Sequence, residues 1–177
     1  MQPILSFVHR SLVSGLFGAA LLNSPLLLAQ TCNEGNMLPS TPSSDFIIND
    51  AGVVTHTKTG LMWKRCSEGQ TWDGKSCNGI AANYNWQESL QRLQGYSFAG
   101  YSDWRLPNKN ELASIVETNC ERPTINAEMF PNTPSAYFWS STPFAAFTNM
   151  AWSVHFNNAF VYYEYKHGAV HVRLVRG

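Results

Sequence analysis

The stretch YSDWRLPNKNEL, residues 101–112, sets a Trp, an Arg and a Pro between a turn and the start of a helix. Pro107 disfavours the helical region for Leu106 and pushes it into an extended conformation, which fixes how the chain arrives at residue 108. Asn108 and Glu111 have the N-x-x-E spacing of a capping box, in which each side chain satisfies an orphan N–H of the other. Leu112, Ile115 and Val116 follow as an apolar stripe at helical spacing. Asp103 admits a sharper reading as a catalytic acid, but an Asp in a turn ordinarily accepts backbone N–H bonds.

Working outward, the only other helical pattern is NWQESLQRLQG, residues 85–95. Trp86, Leu90 and Leu93 fall at i, i+4 and i+7, with Gln87, Glu88, Gln91 and Arg92 facing outward. Asn85 and Glu88 repeat the capping spacing, and Gly95 can stop the helix. On either side of the two helices the pattern is β. In FIINDAGVVTHTKTGLMW, residues 46–63, turn residues separate three short apolar runs, as in a β-meander. Towards the end, Trp152, Val154 and Phe156 alternate with Ser153 and His155. Asn157-Asn158 and Lys166-His167-Gly168 turn the chain, and Val170, Val172 and Leu174 alternate with His171 and Arg173. Strands, two helices and further antiparallel strands predict an α+β fold with both helices packed on a twisted sheet.

The 177-residue chain opens with Arg10, a short apolar run and Ala29 as a small residue at a cleavage point, the order of a secretory signal over residues 1–29. That run is too short for a membrane span, so none is expected after cleavage. Residues 30–45, rich in Pro, Ser, Thr and Asn, read as an extended N-terminal segment, and 46–177 as one domain. The chain carries 12 basic and 12 acidic residues. Such a balance gives no long-range pull towards nucleic acid or an anionic membrane. All four cysteines, Cys32, Cys66, Cys77 and Cys120, lie beyond the signal, and an even number in an exported chain reads as two disulfides. Three pairings are open. The Asp73-Gly74 turn signal favours Cys66–Cys77, leaving Cys32–Cys120. A four-thiolate zinc site is the competing reading, though no C-x-x-C pair supports it.

The sequence beyond residue 29 holds no G-x-S-x-G, H-E-x-x-H, P-loop or dinucleotide fingerprint. A cysteine nucleophile needs a free thiolate, which two disulfides would remove. His167 and His171 flank a turn without a carboxylate at metal-like spacing, and ligand spacing supports no calcium loop. No catalytic residue, metal or cofactor is therefore assigned. All six Trp lie beyond the signal, and Tyr162, Tyr163 and Tyr165 crowd one hairpin. Alternation places 163 and 165 on one face and 162 on the other, so one set should be core and the other an exposed platform. Rigid rings on a surface bind sugars and proteins at small entropic cost. Tyr163, Tyr165, Lys166, His171 and Arg173 are the candidate ligand contacts on this reasoning.

Four segments in order, TGLMWKRC, GYSDWRLPNKNEL, INAEMFPNTPSAYFWSST and the terminal VRLVRG, resemble the C-terminal domain family named after the Legionella collagen-like adhesin. The resemblance spans about residues 46–177. It implies a C-type-lectin-like fold, two helices beside a twisted antiparallel sheet, stabilised here by disulfides. It also makes the opening stretch scaffold, with Trp104 buried, Arg105 paired to a carboxylate or backbone carbonyls, and Pro107, Asn108 and Glu111 starting the second helix. WRLPNKNEL is similar as well to the helix start of the formylglycine-generating enzyme group. The named adhesin binds sulfated glycosaminoglycans, but its collagen-like stalk is absent here, as are the E-P-N, Q-P-D and W-N-D motifs of calcium-dependent lectins. The expectation is a non-catalytic, adhesin-like binding module, secreted, periplasmic or on a bacterial surface, recognising a glycan or protein ligand. A structural component of the envelope or pilus, and an enzyme of the formylglycine-generating type, are the alternatives. Nothing in the sequence fixes an oligomeric state.

Overall fold

The structure, a computed structural model, describes residues 30–33, 35, 37–49 and 51–177. The proposed signal, residues 1–29, lies outside them. In chain order the strands before the helices are Thr31–Cys32 (β1), Phe46–Asn49 (β2), Val53–His56 (β3), Met62–Lys64 (β4), Thr71–Trp72 (β5), Cys77–Asn78 (β6) and Asn83–Tyr84 (β7). Helices Trp86–Gln91 (α1) and Lys109–Ala113 (α2) follow. Then come Cys120–Glu121 (β8), Tyr137–Pro143 (β9), Met150–His155 (β10), Phe160–Tyr165 (β11), Val170–His171 (β12) and Val175–Arg176 (β13). The fold is α+β, dominated by strands.

Two sheets carry the domain. The expected meander forms β2, β3 and β4, and the last strand closes it in the order β13-β4-β3-β2. The β2–β3 turn works because Asn49 Oδ1 accepts the Ala51 N–H at 2.9 Å. Gly52 sits there at φ +80°, where a Cβ would lie 2.8 Å from Trp72 Cγ; both conformation and space demand glycine. The larger sheet runs β11-β10-β9-β12-β7. One of its faces buries Phe138 and Val154 with Leu112, Ile115 and Phe130. The other buries Trp139 and Ala151 with Trp104, Leu106 and Leu174. A sheet covered on both faces leaves its end strand as the place where apolar side chains reach solvent.

Both capping boxes form. Asn85 Oδ1 accepts the Glu88 N–H and Glu88 returns the bond to the Asn85 N–H, each at 2.9 Å. Asn108 accepts from the Asn110 and Glu111 N–H groups while Glu111 accepts from the Asn108 N–H. Trp104 is buried and donates its indole N–H to Phe98 O at 3.0 Å. Arg105 grips Glu111 with two bonds, 2.7 and 2.8 Å, and donates to Gly177 O. The opening stretch is a structural junction that joins α2 to the chain's end. Asp103 accepts from Arg176 Nε at 2.7 Å, a side-chain partner beside its own backbone N–H. Helix α1 is shorter than its apolar pattern: Leu90 is exposed and Ser89 is buried in its place, its hydroxyl donating to Asn85 O. Six residues make too little of a helix to bury a stripe that spans about two turns.

The disulfides are Cys66–Cys77 and Cys32–Cys120. Asp73 organises the first loop by accepting the Lys75 and Ser76 N–H groups at 2.8 and 2.7 Å. The second ties the N-terminal segment to β8, which pairs with β1. Glu117 holds the same segment further along. Its buried carboxylate accepts five bonds, from the N–H and hydroxyl of both Ser40 and Thr41 and from the Asn119 N–H. Burial alone would raise its pKa, but these hydrogen bonds outweigh it and hold the carboxyl below its ordinary range.

Arg173 requires a correction. Alternation places it outward as a ligand contact, yet it is 0% exposed. Its guanidinium donates to the carbonyls of Lys64 and Arg65, to Ser67 Oγ at 3.3 Å and to Thr133 Oγ1 at 2.7 Å. The Phe130 ring lies 4.8 Å away. Burial pushes its pKa down to about 9, so it stays cationic at neutral pH. After β12 the chain crosses between the two sheets, and a residue between layers has no solvent face for alternation to mark.

Candidate functional site

Strand β11 ends the larger sheet, so only β10 flanks it. The register sets Trp152 opposite Tyr163 and Met150 opposite Tyr165. Directly opposed residues of an antiparallel pair share a face. Between β9 and β10 the chain makes a compact turn in which Phe144 and Met150 exchange contact through the Phe144 N–H to Met150 O bond at 3.0 Å. This turn delivers Phe144 onto the face that carries Trp152 and Tyr163.

The result is a parallel stack of three rings. Phe144 lies on Tyr163 with centroids 4.3 Å apart and planes 8° apart, and Tyr163 lies on Tyr162 at 4.6 Å and 11°. Trp152 meets Phe144 edge-on at 5.1 Å and Tyr163 at 6.0 Å, bracing the stack. Lys109, the first residue of α2, places Nζ 4.6 Å over the Trp152 ring. The outermost rings are open: Tyr162 is 48% and Phe147, beside Phe144, is 55% exposed. Period-2 alternation puts Tyr162 and Tyr163 on opposite faces. The open edge of β11 lets neighbouring rings meet instead, since no further strand separates the two faces there. The charge and hydrogen bonding of Tyr163 hold the Tyr162 phenol above its usual pKa, so the Tyr162 ring is neutral at physiological pH.

The other predicted contacts disperse. Tyr165 is exposed and stacks with His167 at 5.4 Å. Lys166 donates to Thr148 O at 2.8 Å and lies 4.3 Å over Trp86. With Asn85, Gln87 and Leu90, the side chains of Trp86, Lys166 and His167 line an open groove of about 430 Å³ beside α1. His171 points inward, half-buried, with Nδ1 3.0 Å from Ala82 O and its ring 5.3 Å from Phe138; burial lowers its pKa. Of the five candidates, Tyr163 belongs to the stack, Lys166 lines the α1 groove, Tyr165 stacks on His167 of that groove, and His171 and Arg173 face the interior. Sequence reasoning missed Phe144, Phe147, Trp152 and Lys109. The i, i+3 pair of phenylalanines in TPFAAFTN was the available signal, because a turn at that spacing sets both rings on one side.

Among the described residues no cysteine is free, no cluster of His, Cys, Asp or Glu is placed to hold a metal, and no helix is long and apolar enough to cross a membrane. The Lcl C-terminal domain family matches the chain over residues 52–176. The chain belongs to that family. Members share this domain, and the matched span contains both helices, the Cys66–Cys77 loop and the whole aromatic stack. No curated protein matches the chain.

Proposed function

We propose that this Lcl C-terminal domain is a non-catalytic binding module, exported and displayed outside the cytoplasm, with a C-type-lectin-like arrangement of its two helices and sheets. The stack of Phe144, Tyr163 and Tyr162, flanked by Phe147 and Trp152, is the contact surface, and its ligand is a glycan or a protein. The supporting observation is the open end of that stack: rings pre-set by their neighbours lose little freedom when a ligand covers them. Export is supported by the two disulfides, which persist in oxidising compartments.

Screening the oxidised protein against a glycan array and a panel of surface proteins tests this reading. Retention of a defined ligand, lost when Tyr162 and Phe147 are both changed to Ala, is expected. Absence of any ligand from both screens counts against it, as does a ligand that the double variant holds equally well.

A further inference from the structure

Beside Cys66, an open cleft of about 400 Å³ is lined by Lys64, Glu68, Gln70, Trp72, Tyr96 and Phe98. Its floor is charged and almost sealed. Lys64 and Glu68, 6% and 8% exposed, form an ion pair at 2.5 Å, and Lys64 also donates to the Tyr96 hydroxyl. The ammonium lies 4.5 Å from the Phe98 ring centroid and 5.0 Å from that of Tyr96. The backbone beneath is pinned, with the Glu68 N–H donating to Val172 O and Glu68 O accepting from the Ala82 N–H, each at 2.9 Å. Gly69 approaches so closely that a Cβ there would lie 2.5 Å from Ala82 N.

Hydrogen-bond accounting shows what this floor still offers. An ammonium has three donors, and two of Lys64's are used, on Glu68 Oε1 and Tyr96. The Tyr96 oxygen accepts from Lys64, which leaves its own O–H to donate. Glu68 Oε2 accepts no bond among the described residues and is not among the sealed, unpartnered atoms. One acceptor and two donors therefore remain unused among the residues that line a cleft walled by aromatic rings. A ligand ion gains little there: the attraction of one member of the pair is offset by the repulsion of the other, a penalty of about 4 kcal/mol for like charges about 4 Å apart at an effective dielectric of 20. Hydroxyls suffer no such penalty, because each both donates and accepts.

We propose that this cleft binds a neutral pyranoside. One ring hydroxyl donates to Glu68 Oε2, its neighbour accepts from Lys64 Nζ and the Tyr96 O–H, and an apolar C–H face of the sugar lies against Phe98. The site is separate from the aromatic stack, so it stands or falls independently of the surface proposed above.

Two-dimensional NMR of the isotope-labelled, oxidised protein tests it by titration with methyl α-D-mannopyranoside, methyl α-D-glucopyranoside and methyl β-D-galactopyranoside. At least one should produce saturable shifts at Gly69, Tyr96, Phe98 and the Trp72 indole, with a dissociation constant in the millimolar range. Tyr96→Phe keeps the ring and removes one hydrogen bond, and should weaken binding about three- to tenfold with the rest of the spectrum unchanged. If that variant loses the native spectrum, Phe98→Leu takes its place with the same expectation. The proposal is overturned if no glycoside saturates the cleft by about 50 mM, a range that reaches even weak millimolar ligands. It is equally overturned if sulfate or free phenylalanine binds there in preference, or if the folded variant binds as tightly as the parent. Shifts confined to Tyr162, Tyr163 and Phe147 would support the aromatic stack and sink the cleft.

Discussion

The middle of the larger sheet and its β11 end are built from the same kinds of residue and meet opposite fates. Trp139 on β9 is 0% exposed and donates its indole N–H to Tyr84 O at 2.9 Å, while Tyr162 on β11 is 48% exposed. Cations divide in the same way. Arg173 is enclosed between the sheets and met by carbonyls and hydroxyls, whereas Lys109 lies over the half-buried Trp152 ring that braces the stack. The strands YFWSS, AWSVH and FVYYEY all alternate or run apolar, so their patterns do not foretell the difference. What differs is whether a strand has neighbours on both sides. Aromatic residues at the centre hold the domain together, and the same residues at the end are free to touch something else.

Substitutions in the two regions should therefore separate stability from binding. Arg173→Ala strikes the centre hardest. It strands the Lys64 and Arg65 carbonyls and two hydroxyls in a dry interior, and should cost about 3–5 kcal/mol in denaturant unfolding. A cost under about 1 kcal/mol would mean that those carbonyls find other partners. Trp139→Ala leaves a cavity and an unpaired Tyr84 carbonyl, and should also cost about 3–5 kcal/mol.

The periphery answers to pH. The Glu117 carboxyl has a lowered folded pKa, so its stabilisation is fully present above the unfolded value of 4.5 and is lost as pH falls through the folded one. Acid titration should therefore loosen the Ser40–Thr41 segment before the sheets, visible as faster amide exchange there below about pH 4.5. Glu117→Gln should abolish that acid step. An unchanged step in the variant would assign it elsewhere. The smallest effect belongs to the end of the sheet, where Tyr162→Ala should change stability by no more than about 0.5 kcal/mol.

Local chemistry was legible where a signal fixes backbone geometry by itself. Asn85 with Glu88, and Asn108 with Glu111, announce their capping boxes, Asp73-Gly74 its hairpin, and the turns at residues 49–52 and 57–60 the meander. Trp104 lies buried and Arg105 pairs with Glu111. The long-range arrangement was not legible. Arg173 read as exposed because alternation carries no information about a second layer above the strand. Tyr162 and Tyr163 read as divided because alternation assumes a neighbour on both sides. Phe144 and Lys109 come from a turn and a helix distant in sequence from β11, and only the tertiary fold brings them to Trp152 and Tyr163.

The central claim, that the end of the larger sheet is a contact surface carried on a scaffold that does not depend on it, rests most directly on one paired measurement. The parent and the Tyr162→Ala/Phe147→Ala variant are compared in thermal melting and, side by side, on the glycan and protein panels. The account predicts melting temperatures within about 4 °C of each other, the shift expected for about 1 kcal/mol or less in a domain of this size, together with loss of the parent's ligand by the variant. A variant that melts with the parent and still holds that ligand would contradict it.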